Sequence, residues 1–270
     1  MKILFTDLDG TLLNKQSRVS EYTQKVIARM VAEGHKLVLS SGRPLDSIRG
    51  VAQVDGLTYP GVYIVANNGS TVYDCDTKQI LMEKTVNLEL VDKVWKMCLE
   101  RGIHIQTYTS DCIISCADDE EIKAYRSKIF LPVQFTREPL EVLTKAPYKV
   151  LAIQLHDKSI LDKLQADITA NFGDRLSAIF SEPEYLEIFN KTAGKGDALT
   201  WLCNYLEIPI EDSYAAGDAM NDMSMIKAAG NGIAMCNGAK ELFEYASIIS
   251  TETNDEDGLA HVIEKYILEK

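Results

Sequence analysis

Over the first 80 residues, short apolar runs alternate with amphipathic stretches, which is the pattern of a parallel sheet wrapped by helices. Residues 3–8 read as a buried strand. Residues 23–33 follow Ser20, place Val26, Ile27, Met30 and Val31 at helical spacing and stop at Gly34, so they predict a helix. Residues 36–40 and 62–66 are the next strands. Pro44 is placed to begin a helix between them, because its missing N–H is not needed in a first turn. Asn67-Asn68-Gly69 marks a turn before a short strand at 71–73.

From about residue 83 the pattern changes. Helices at 88–101, 118–127 and 157–171 are interspersed with strands at 103–108, 111–115, 148–155, 175–180 and 185–189. Strands outnumber the crossovers of a simple doubly wound sheet, so this stretch predicts a mixed α+β insert. The first pattern then resumes, with helices at 194–206, 220–229, 239–245 and 258–268 and strands at 213–217 and 232–235. The expected organisation is an α/β, Rossmann-like parallel-sheet core from residues 1–82 and 188–270, interrupted by an α+β domain at 83–187. A length of 270 residues accommodates two hydrophobic cores.

Composition narrows the class. Hydrophobic residues make up 46% and charged residues 25%, as in ordinary soluble domains, and the sequence holds no run of ~20 apolar residues. The first strand begins immediately after Met1-Lys2 with no secretory signal pattern, so the expected location is cytoplasmic. A net charge of −12 argues against nucleic-acid or membrane partners. The six cysteines are scattered without histidines at zinc-ligand spacing and read as free thiols; Cys112 and Cys116 are a weak candidate pair.

Candidate chemistry begins at Asp7-Leu8-Asp9-Gly10-Thr11, at the carboxyl end of the first strand, where open α/β sheets build ligand sites. Alternation along an extended segment would aim Asp7 and Asp9 to the same side, ~6–7 Å apart at Cα. Such carboxylates call for a cation between them, and magnesium prefers this donor type. Taken alone, the pentad is also compatible with a surface turn. Ser41 and Gly42 precede the helix opened by Pro44, where backbone donors favour an anion, although Ser41 has a plain N-cap reading as well. Gly194-Lys195-Gly196 is no nucleotide P-loop, because the required upstream glycine and following Ser/Thr are missing. Asp218 and Asp222 sit one helical turn apart after the strand at 213–217.

These segments resemble, in order, the motifs of the haloacid dehalogenase superfamily: Asp7-Leu8-Asp9-Gly10-Thr11-Leu12, Leu39-Ser40-Ser41-Gly42-Arg43-Pro44, Lys195-Gly196 and Gly217-Asp218-Ala219-Met220-Asn221-Asp222. The insert between the second and third motifs makes the Cof-type, sugar-phosphatase-like branch the best fit, with residues 83–187 as a specificity cap. The resemblance implies a magnesium-dependent phosphatase acting on small phosphorylated metabolites, such as sugar phosphates or phosphorylated cofactors, as a monomer or homodimer. It implies that Asp7 is the nucleophile and Asp9 the acid–base; that Ser41, Gly42, Lys195 and Asn221 hold phosphate; and that Asp7, Asp9 (by its carbonyl) and Asp218 bind the metal, with Asp222 behind them. Tyr108, Tyr148, Glu182, Tyr185 and Glu187 are candidate substrate contacts in the insert. A phosphomutase and a catalytically silent regulator that binds phosphorylated metabolites are the alternatives.

Overall fold

The computed structural model describes residues 1–109, 111–127 and 131–269. Among these, the chain divides into two compact units, Met1–Glu83 with Ala193–Lys270, and Lys84–Thr192. The return to the first unit comes at Ala193 because the last strand of the inserted unit runs unbroken to Asn190.

The first unit starts with β1 (Ile3–Thr6), α1 (Glu21–Ala32), β2 (Lys36–Ser40), α2 (Leu45–Val54), β3 (Val62–Ala66), β4 (Thr71–Asp74) and β5 (Gln79–Glu83). The inserted unit holds α3 (Leu88–Glu100), β6 (His104–Tyr108), β7 (Ile113–Ser115), α4 (Glu120–Arg126), β8 (Val133–Phe135), β9 (Lys149–Ile153), α5 (Lys158–Phe172), β10 (Leu176–Glu182) and β11 (Tyr185–Asn190). The first unit resumes with α6 (Lys195–Tyr205), β12 (Ser213–Gly217), α7 (Met223–Ala228), β13 (Asn231–Ala234), β14 (Ile248–Ile249) and α8 (Gly258–Val262), which continues as wider π turns over Ile263–Leu268.

The core sheet has the order β14-β13-β12-β1-β2-β3-β4-β5. It is parallel from β14 to β3, and β4 and β5 add antiparallel edges. Its central strands are apolar on both faces, as two-sided coverage requires. Leu4, Leu37, Leu39 and Ile64 face α1, α2 and α8, whereas Ile3, Phe5, Val38 and Val65 face Leu199 and Leu202 of α6 and Met225 of α7. Ser20 caps α1 by accepting the Thr23 N–H at 3.0 Å, and Gly34, at φ +91°, supplies the left-handed residue that ends it.

The inserted sheet has the order β10-β11-β9-β6-β7-β8, mostly antiparallel. Its own core packs α3 and α5 over one face through Trp95, Leu161 and Leu164. On the other face Ile122 and Tyr125 of α4 pack with Leu151, Ile153 and Tyr185.

The fold departs from the sequence reading in several elements. Strands β5, β8 and β14 have no counterpart in the sequence pattern, because they are short or largely exposed, which erases the apolar alternation. The helix expected at 220–229 is a 3-10 turn, Met220–Asp222, followed by α7, and the one at 239–245 is only the 3-10 turn Lys240–Leu242. Among the described residues, no helix is long and apolar enough to cross a membrane.

Candidate active site

Connections leave β1 toward β2 and β3 on one side, while β12, β13 and β14 continue on the other. The carboxyl ends of β1 and β12 therefore flank the switch point where an open sheet forms a crevice. Asp7 follows β1 and Asp218 follows β12, and the Asp7 N–H donates to the Ala216 carbonyl at 2.9 Å, locking the two ends in register.

Beyond Asp7 the chain stops being a strand. The Leu8 carbonyl accepts from the N–H groups of Leu12 and Leu13, and Gly10 turns at φ +84°. A Cβ at Gly10 would lie 2.4 Å from Asp218 Oδ2, so only glycine lets the turn pass the carboxylate. The two carboxylates differ in exposure and in partner. Asp7 is buried, whereas the Asp9 side chain is 55% exposed and is held by Arg43 through Nε–Oδ2 at 2.8 Å and a second guanidinium nitrogen on Oδ1 at 2.5 Å.

Lys195 opens α6 and is 1% exposed. Its Nζ sits 2.5 Å from Asp7 Oδ1 and 2.6 Å from Asp222 Oδ1. The other Asp222 oxygen accepts the N–H groups of Asp218 and Ala219, both at 3.1 Å, so this carboxylate ties the β12 loop to the ammonium. Asp218 accepts from the Thr11 hydroxyl at 2.8 Å. The start of α6 is pressed against Gly69, where φ is +97° and a Cβ would fall 2.2 Å from the Gly194 carbonyl. Asn67 and Asn68 carry φ of 52° and 55°, conformations that asparagine tolerates, and Asn68 donates its N–H to the Ser41 carbonyl at 3.1 Å.

Burial drives the electrostatics. Desolvation pushes Asp7 up to about 7; Lys195 pulls it down, and Asp222 and Asp218 push it further up. Asp218 is also raised, first by burial, with Asp222 adding and the Thr11 hydrogen bond opposing. Burial works against the charge on Lys195, but Asp7 and Asp222 outweigh it and hold the ammonium above its ordinary range. One ammonium thus faces three carboxylates. Oxygens of Asp7, Asp218 and Asp222 all lie within 4.8 Å of one another, and this all-oxygen, under-neutralised set suits a hard divalent cation such as magnesium.

The remaining sequence candidates fall as follows. Ser41 is buried just past β2; its N–H donates to the Val65 carbonyl at 2.9 Å and its hydroxyl accepts the Arg43 N–H at 3.2 Å. Gly42 follows it, and a Cβ there would come within 3.0 Å of the Asn68 side chain. Asn221 is exposed on the 3-10 turn Met220–Asp222. Asp222, expected behind the metal ligands, is fully buried, with one oxygen on Lys195 and the other on the N–H groups of Asp218 and Ala219. In the inserted unit, Tyr185 stacks edge-on against Tyr125, the Tyr108 hydroxyl donates to that of Tyr125 at 2.7 Å, and Glu187 pairs with Lys149 at 3.0 Å; Tyr148 precedes β9 and Glu182 ends β10. Sequence reasoning assigned no role to Arg43, although it lies in a quoted motif. Asn237, which donates to the Gly10 carbonyl at 2.8 Å, carried no sequence signal.

Comparison with known proteins follows the same lines. Residues 4–263 match the profile of a family described as haloacid dehalogenase-like hydrolase. The chain is 31% identical to the 5-amino-6-(5-phospho-D-ribitylamino)uracil phosphatase YwtE of Bacillus subtilis, covering 99% of this chain and 98% of that protein. It is 27% identical to the HMP-PP phosphatase of Yersinia enterocolitica, covering 97% and 93%. Its fold is similar to that of a haloacid dehalogenase-like hydrolase from Bacteroides thetaiotaomicron, with a TM-score of 0.83, 28% identity, and coverage of 97% of this chain and 98% of that one.

Proposed function

The chain belongs to the haloacid dehalogenase-like hydrolase family, and from that premise we propose that it is a magnesium-dependent phosphatase of small phosphorylated metabolites, working through an aspartyl-phosphate on Asp7. The observation that carries this reading is the buried Lys195 ammonium between Asp7 and Asp222, with Asp218 in the same carboxylate cluster.

In the first half-reaction an Asp7 carboxylate oxygen bonds to phosphorus as the bond from phosphorus to the leaving oxygen breaks. Asp9 leaves Arg43, takes up a proton from solvent and gives it to that oxygen. In the second, water attacks phosphorus, Asp9 takes the water's proton, and the Asp7–phosphorus bond breaks to release inorganic phosphate. Lys195 neutralises the nucleophile and the equatorial oxygens throughout, while Ser41 and the Gly42 N–H orient the phosphoryl group. Asp7, Asp218 and the Asp9 carbonyl would hold magnesium, which supplies charge neutralisation to the phosphoryl oxygens. Asp222 anchors the Asp218 loop behind them. Asn221 would serve as a further phosphate donor.

Relatives named as phosphatases of a phosphoribitylamino-uracil and of HMP-PP support substrates that are small phosphorylated metabolites. A screen of phosphorylated metabolites with magnesium should give phosphate release that chelation removes and Asp7→Asn abolishes. Acid quenching with labelled substrate should leave hydroxylamine-sensitive phosphate on Asp7, and solvent-labelled water should place one oxygen in the released phosphate. Wild-type rates in Asp7→Asn would end the proposal, and an isomerised sugar phosphate in place of free phosphate would replace hydrolysis with a mutase.

A further inference from the structure

The spacing of cysteines and histidines along the chain argues against a zinc site, but the fold of the inserted unit brings a mixed ligand set together. His104 begins β6, Cys116 follows β7, and Asp119 caps α4. His104 Nδ1 lies 2.7 Å from Asp119 Oδ2 and 3.8 Å from Cys116 Sγ, and the three ligand atoms all fall within 4.8 Å of one another. His104 and Cys116 are buried, and Asp119 is half-buried.

The surrounding hydrogen bonds fix which imidazole nitrogen carries a proton. His104 Nε2 faces Gln106 Oε1 at 3.3 Å, and the Gln106 amide nitrogen is committed to the Tyr108 hydroxyl, which itself donates to Tyr125. Ser115 Oγ lies 3.5 Å from Nε2 and spends its own proton on the Ala117 carbonyl. Both neighbours of Nε2 therefore present acceptors, so a neutral His104 carries its proton there. At 2.7 Å the Nδ1–Asp119 Oδ2 pair is bridged by a proton in the metal-free protein, and a metal ion would take that proton's place between the nitrogen, the carboxylate oxygen and the Cys116 sulfur.

We propose that His104, Cys116 and Asp119 form a transition-metal site in the inserted unit, with zinc as the best-matched ion. Nitrogen, sulfur and oxygen donors are its usual ligands, and bonds of ~2.0–2.3 Å require donor separations of roughly 3.3–3.6 Å in a tetrahedron. The N–S separation already approaches that range, and a small outward turn of the half-buried Asp119 side chain opens the N–O pair. Each ligand also has the outer partner that orients metal ligands. Gln106 holds His104, the Ile122 N–H holds the second Asp119 oxygen at 3.1 Å, and the Ile105 N–H donates to Cys116 Sγ at 3.3 Å. On binding, the Cys116 thiol and the His104–Asp119 contact each release a proton to solvent, and water supplies the fourth ligand on the side where Asp119 is exposed. The soft sulfur separates this site from the all-oxygen cluster of Asp7, Asp218 and Asp222.

Cobalt(II) is the probe, because only a thiolate ligand gives it sulfur-to-metal charge-transfer absorption in the near ultraviolet. Titrating the metal-free, full-length protein should produce this absorption at one equivalent, and added zinc should abolish it. The band should persist in Asp218→Asn and in Cys112→Ser and vanish in Cys116→Ser. Gln106→Leu, which leaves all three ligands in place, should weaken cobalt binding by ~10–100-fold. Folded wild-type protein giving no charge-transfer band at saturating cobalt, or the same band in Cys116→Ser, would overturn the site.

Discussion

At Lys195 a single ammonium is enclosed by carboxylates drawn from separate parts of the chain, and the consequences can be read one side chain at a time. Removing the charge without the bulk, as in Lys195→Met, should lower kcat by ~10²–10³-fold, the usual effect of deleting one group that stabilises transition-state charge. Steady-state assays at saturating magnesium test this. Asp7 gives a pH-dependent expectation in the metal-free protein. Its carboxyl is raised to about 7, above an unfolded value near 3.8, so the fold prefers the protonated form. Ionising Asp7 therefore costs stability progressively as pH rises from about 4 to 7, after which the penalty is constant. Asp7→Asn should consequently stabilise the metal-free protein by on the order of 2–4 kcal/mol at pH 8 and by almost nothing at pH 4. Urea midpoints at the two pH values decide it, and an equal gain at both would show that burial of Asp7 is not the cause.

The element that places Lys195 is α6, and its first turn is set by a backbone contact with Gly69. Gly69 combines a left-handed φ of +97° with a 2.2 Å approach between its missing Cβ position and the Gly194 carbonyl. Gly69→Ala should cost about 2–4 kcal/mol from backbone strain and overpacking together. It should also lower kcat, because the displaced helix start carries the ammonium away from Asp7. Thermal unfolding and kinetics on the same preparation test both effects; unchanged stability would mean that the turn relaxes freely. The Asn-Gly pair reads in the sequence as a turn. Its role in seating α6 depends on a contact with residue 194, far along the chain, which no local pattern contains.

The whole molecule is built on separate cores, and each unit carries one tryptophan, Trp95 in the inserted unit and Trp201 in the other. Magnesium at 100 times its dissociation constant should stabilise the unit that binds it by about 2.7 kcal/mol. Followed by fluorescence, the urea midpoint should rise in Trp95→Phe, where Trp201 reports, and stay fixed in Trp201→Phe, where Trp95 reports. Equal shifts would show that the two units unfold as one.

The order of apolar runs was enough to determine a parallel α/β core interrupted by an α+β insert, because strand and helix periodicities are local properties of the chain. Periodicity placed Asp7, Ser41, Lys195 and Asp218 at the ends of strands or the start of a helix, but their roles came from the resemblance to the haloacid dehalogenase motifs. What only the tertiary structure decided was direction and company. The turn after Leu8 sends Asp9 to Arg43 and leaves Asp7 buried; Asp222 joins the carboxylate cluster; and His104 meets Cys116 and Asp119 across a sheet and a helix cap. These outcomes depend on burial and on contacts between distant segments, whose energies exist only once the chain has closed around them.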